Sequence, residues 1–162
     1  MLTIRPTKML ARRLALELPV ALPTVTNRVA DWCVHEFRIS RHRHLIFCNT
    51  ASLYPVVCHA RGVTDRNSLV ERLAEALKEG LEGTKLEKHY QRWIVPELAA
   101  VQWAPIPGRS ILGSMNDLIF AARCGYEDRN YSVVEMSRWL AVTPLSVLGM
   151  NSPDRVFPTL GG

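Results

Sequence analysis

From Asp31 the chain alternates between apolar and polar positions with a period of two. In "DWCVHEFRI", Cys33, His35, Phe37 and Ile39 fall on one side and Trp32, Val34, Glu36 and Arg38 on the other, the pattern of a strand. Two further runs rich in strand formers follow, "HLIFCNT" and "SLYPVVCHA". The connections between the three are too short for a helical crossover, so they predict an antiparallel meander. Pro55 predicts that the third strand is an edge strand or bulged, because proline cannot donate to a ladder. Upstream, "LTIRPT" predicts a short strand ended by Pro6. Thr7 can then cap a helix over Lys8–Leu18, with Leu10, Leu14 and Leu18 on one face and Pro19 stopping it. Residues 19–29 form a connection.

After residue 65 the period changes to that of a helix. Leu69, Leu73, Leu77 and Leu81 make one apolar stripe, and Leu86, Tyr90, Trp93 and Ile94 make a second beyond Gly80 and Gly83. The capping-box pattern occurs three times, as "SLVE" (Ser68–Glu71), "TKLE" (Thr84–Glu87) and "SVVE" (Ser132–Glu135). "AAVQWAPIP" predicts another strand. A helix from Ser110 to about Ala122 would turn Ile111, Met115, Leu118 and Ile119 inward, and "SPDRVFPTLGG" reads as a tail. The expected architecture is α+β: one domain over residues 1–162, with a small antiparallel sheet of three to five strands packed on one face by several helices.

Composition agrees with a packed core. Apolar residues make up 48% of the 162 residues and charged residues 22%, which excludes a disordered chain. No apolar run reaches the roughly 20 residues of a membrane span, and Glu17, Pro19 and Pro23 interrupt the N-terminal apolar stretch, so neither a membrane span nor a secretory signal is expected. Cys33, Cys48, Cys58 and Cys124 show no paired or metal-ligand spacing. They predict reduced thiols in a cytoplasmic protein, with no metal and no cofactor.

Charge changes the picture. The net charge is +5, and residues 1–61 hold nine Lys/Arg against three acids, while the remainder holds eleven against twelve. The excess collects around "FRISRHRHLIFCNT", where Arg38, Arg41, His42, Arg43 and His44 sit at or beside a hairpin turn. Exposed charge is cheap at a solvated turn. The same five residues also suit contacts to nucleic-acid phosphates or another anionic partner, with Lys8, Arg12 and Arg13 adding charge if the first helix lies near.

A second candidate is "PIPGRSILGSMNDL". Arg109 and Ser110 stand at a helix start, where free N–H groups can hold an anion. Asn116 and Asp117 do not favour a helix interior, and Asn116 beside the apolar stripe suggests a hydrogen bond to the sheet. The Walker spacing and lysine are missing. "SRWLAVTPLSVLGM" has the outline of a helix-turn-helix, yet no Lys or Arg lies between Pro144 and Asp154 to reach bases or phosphates. His35, His59 and His89 stand apart from any nucleophile.

Four stretches, "IRPTKMLARRL", "DWCVHEFRISRHRHLIFCNTASLYPVV", "RSILGSMNDL" and "LAVTPLSVLGMNSPDRV", together span most of the chain. In these blocks the chain resembles a family of small, functionally uncharacterised bacterial proteins. The resemblance implies a bacterial cytosolic setting and imports no activity. From the residues, the expectation is a non-enzymatic regulatory or binding module that contacts phosphates through the basic hairpin. The alternative is a small hydrolase or nucleotide-processing enzyme built on Arg109–Asp117.

Overall fold

The computed structural model describes residues 1–161; Gly162 lies outside them. The strands are β1 (Leu2–Pro6), β2 (Asp31–Ile39), β3 (His42–Asn49), β4 (Pro55–His59) and β5 (Val101–Trp103), and the helices are α1 (Lys8–Arg13), α2 (Arg66–Leu81), α3 (Glu87–Trp93), α4 (Arg109–Arg129), α5 (Val133–Ala141) and α6 (Pro153–Val156). The sheet order is β4-β3-β2-β1-β5. β2, β3 and β4 form the antiparallel meander expected from their alternation, with Cys33 opposite Cys48 and Cys48 opposite Pro55. β4, opened by Pro55, is an edge strand.

The α+β class stands, and two details of the expected sheet are corrected. The sheet is mixed, not purely antiparallel, because β1 runs parallel to both β2 and β5. The connection from Thr7 to Ala30 is long enough to bring the chain back for a parallel neighbour. Helices also cover both faces of the sheet instead of one. Trp32, Val34, Leu45 and Phe47 pack under α2 and α3. Cys33, Phe37, Ile46 and Cys48 pack under α4 and α5. β2 and β3 are apolar on both sides in the middle of their length, so each needs two covers.

Local rules explain most helix limits. α1 stops well short of Leu18: Leu14 caps it, and Ala15 adopts a left-handed φ of 51°. At α2 the cap is Asp65, whose carboxylate accepts from Ser68 N at 2.8 Å; Ser68 is the third helical residue and not the cap. Thr84 does not cap α3, which begins at Glu87. It holds the turn instead, accepting from Leu86 N at 3.1 Å, while Glu87 reaches back to Gly83 N. Ser132 and Glu135 form the expected box at α5. α4 starts at Arg109, just after Gly108, and runs past Ala122 to Arg129, where Asn130 ends it with a left-handed φ of 52°. In place of a recognition helix after Pro144 stands a single 3-10 turn at Ser146–Leu148, and Thr143 donates to Trp139 O. The expected tail is core: the Phe157 ring lies 4.8 Å from Tyr54 and 5.8 Å from Trp32.

Three polar devices fix the sheet. Arg5 and Asp31 form a buried ion pair between β1 and β2, with Nε to Oδ1 at 2.7 Å. Asn49, fully buried, links the start of β2 to the β3–β4 turn. Ser137 on α5 accepts from Val57 N at 2.8 Å and so occupies the outer edge of β4 that would otherwise remain open.

Candidate anion-binding cleft

The β2–β3 connection is a two-residue turn, Ser40–Arg41, since Ile39 pairs with His42. Ser40 takes a left-handed φ of 54°, which makes the turn tight and places Arg41 at its tip. Strict pairing puts Arg38 directly opposite Arg43, on the sheet face shared with Cys58 of β4. Two guanidiniums side by side on one face repel each other. Only Arg43 has a carboxylate in range, Glu36 at 3.8 Å, and Glu36 also pairs with Arg13 of α1.

β4 ends beside the start of β3, His59 being paired with His44. The loop after β4 therefore faces the hairpin. It carries Arg61 and then Gly62, whose φ of +85° is the left-handed turn that starts the approach to α2. Arg72 on α2 clamps this loop: it donates to Arg61 O at 2.8 Å and to His59 O, and pairs with Glu75 at 3.4 Å. Arg13 adds a tie to Val63 O at 3.0 Å.

Hairpin, loop and α2 enclose an open cleft of about 780 Å³. Arg38, Arg41, His42 and Arg43 line it from the hairpin, His59 and Arg61 from the end of β4, and Arg72, Glu75 and Glu79 from one face of α2. Arg38, Arg41 and Arg61 have no ion-pair partner among the described residues. The Cys58 thiol borders the cleft, but burial pushes it up to about 12, so it stays protonated and is a poor nucleophile. Burial raises Cys33 to about 12 and lifts Cys48 well above its ordinary value.

The sequence candidates divide. Arg38, Arg41 and Arg43 come together in the cleft, and His42 borders it at the rim. His44 does not. It is buried on the opposite face, its ring 5.6 Å from Phe37 and 4.9 Å from His59, and it lines a separate cavity of about 170 Å³ with Tyr126. Strand alternation is the reason: His44 and Arg43 are neighbours in sequence and must face opposite ways. The same rule puts His42 and His59 on the His44 side, and at the rim both border this second cavity as well as the cleft. Lys8 and Arg12 are exposed on α1 and do not line the cleft. Arg109, Ser110, Asn116 and Asp117 are all exposed along α4, and Asn116 makes no bond to the sheet. No histidine or cysteine converges on them among the described residues. α4 meets the hairpin instead through Arg123, which donates to Arg38 O at 2.9 Å.

Sequence reasoning missed His59, Arg61 and Arg72. A signal for the first two was present, because a three-strand meander returns the end of its third strand to the first turn. Arg72 had none: its position depends on how α2 lies across the sheet.

Three half-buried or buried histidines, His35, His44 and His89, have their affinity for protons lowered chiefly by desolvation. A histidine depressed in the folded state takes up its proton less readily there than in the unfolded chain. Stability is therefore full above the unfolded value of about 6.5 and falls as pH drops below it. Thermal melts should give a lower Tm at pH 5.5 than at pH 7.5, and His44→Gln should flatten part of that dependence. A Tm that rises on acidification would contradict the assignment.

Among the described residues no helix is long and apolar enough to cross a membrane. Comparison with curated proteins gave no match, and comparison with solved structures gave none. A family model described as a domain of unknown function, DUF6933, matches residues 3–156. The matched span contains all four of the sequence blocks quoted above, the hairpin and the whole cleft, and on that evidence the chain belongs to the DUF6933 family.

Proposed function

We propose that this chain is a non-enzymatic binding module of the bacterial cytoplasm that takes up phosphate groups of nucleic acid in the hairpin cleft. One observation carries the reading: Arg38 and Arg41 of the hairpin and Arg61 of the loop after β4 line one concave surface without carboxylate partners among the described residues. Placing Arg38 opposite Arg43 costs stability through like-charge repulsion. Such an arrangement suits a site that gains its counter-charge from a ligand. Guanidinium groups offer forked donors that match phosphate oxygens.

A salt titration tests it. Affinity for a single-stranded oligonucleotide, followed by fluorescence anisotropy, should fall linearly in log–log form with salt, each phosphate contact adding about 0.7 to the slope for a single strand. Replacing both Arg41 and Arg61 by alanine should lower the slope by roughly 1.4. Folding should change little, since exposed charges usually alter stability by no more than ~0.5 kcal/mol. No binding at low salt, or an unchanged slope in the double variant, would refute the proposal.

A further inference from the structure

We infer that the cleft receives a terminal phosphate monoester, on a free nucleotide or at the end of a strand, and not the continuous backbone of a strand passing through. The inference rests on the phosphate-binding reading above and names its ligand class. It comes from the two-sided character of the cleft. The hairpin and the β4–α2 loop supply the cations. The opposite wall is one face of α2, on which Arg72, Glu75, Ala76 and Glu79 follow at helical spacing. Arg72 is committed to the loop carbonyls and to Glu75. Moving along α2 from Arg72, the wall turns acidic over about 10 Å, at ~1.5 Å per residue.

A strand threaded through this cleft would have to carry its next phosphates past Glu75 and Glu79, like charge against like charge. A ligand with charge at one end only meets no such conflict. Its phosphate sits among Arg38, Arg41 and Arg61, and the hydroxyl or amino groups of its body point to carboxylates that accept hydrogen bonds. Charge balance favours the same ligand. A monoester carries about −1.5 to −2 near pH 7, a backbone diester only one charge, and three unpaired guanidiniums line the cleft. The space, about 780 Å³, is within the usual range of small-molecule sites.

The test compares one single-stranded oligonucleotide sequence carrying a phosphate at its 5′ end, at its 3′ end, or at neither, together with a nucleoside monophosphate as competitor, all at one salt concentration. A phosphorylated end should bind at least tenfold tighter than the unphosphorylated strand, and Arg61→Ala should reduce that advantage to within about twofold. Replacing both Glu75 and Glu79 by glutamine should improve binding of the unphosphorylated strand and narrow the gap from the other side. Competition by the monophosphate at the affinity of the phosphorylated strand identifies a free nucleotide as sufficient; weaker competition identifies a strand end. Equal binding of all three strands would overturn the inference and leave the phosphate-binding reading in place. No binding of any of them would overturn both.

Discussion

Asp31→Ala should destabilise the protein by about 3–5 kcal/mol, the range for stripping one partner from a buried ion pair. The Arg5 and Asp31 side chains are only 5% and 8% exposed. Arg5 Nε and Nη2 reach the two carboxylate oxygens at 2.7 and 3.2 Å, and Nη1 donates to Pro105 O at 2.8 Å. One guanidinium thus joins β1, β2 and the segment after β5. Removing the carboxylate leaves a positive charge buried beside apolar strands. For a chain of this size the loss corresponds to a fall in Tm of roughly 6–20 °C. Urea unfolding would measure it as a shift of midpoint at constant slope. The double change Arg5→Met with Asp31→Leu should recover much of the loss, since an apolar pair of similar volume needs no desolvated charge. A single variant as stable as the wild type would mean that the pair is solvated.

Asn49→Ala should cost roughly 3 kcal/mol. The Asn49 amide donates to Arg28 O, Val29 O and Asp31 O at 2.9–3.2 Å, while its carbonyl accepts from Ala51 N, Ser52 N and Ser52 Oγ. Val29 O also accepts from Trp32 Nε1, and Asp31 O from Thr50 N, so those carbonyls keep a partner. Arg28 O, Ala51 N and Ser52 N lose theirs, at about 1 kcal/mol or more each. Asn49→Asp should be no better, because a carboxylate accepts but does not donate to the three carbonyls. Amide hydrogen exchange at Ala51 and Ser52 should speed up in Asn49→Ala; unchanged exchange there would show that water replaces the side chain without loss.

Both devices mark the limit of what the sequence discloses. The meander was legible because alternation at Cys33–Ile39 and short connections are local facts. So was the cap at Ser132, and so was the concentration of arginine around residue 40. The parallel placement of β1 was not, because Arg5 and Asp31 meet only once a long connection has closed. Neither was the second helical cover, since α2 and α4 carry similar stripes and nothing in either says which face it will take. Asn49 stood in view within an apolar run, but its six contacts come from backbone groups on two segments that only the fold brings together. The cleft shows the same division. The hairpin half follows from "RISRHRH", with His44 on the far face and His42 at the rim by one step of alternation, whereas the α2 half, with Arg72 and the two carboxylates, follows from tertiary packing alone.

Phosphate binding at the hairpin is tested most directly on the arginine side chains themselves. Protein labelled with ¹⁵N at arginine, titrated with a single-stranded oligonucleotide carrying a phosphate at each end, reports each Nε–H separately. The resonances of Arg38, Arg41 and Arg61 should move together, with one shared Kd, while buried Arg5 and distant Arg109 stay in place. Movement of Arg109 with the hairpin arginines unchanged, or no movement in any of them, would contradict a binding site in this cleft.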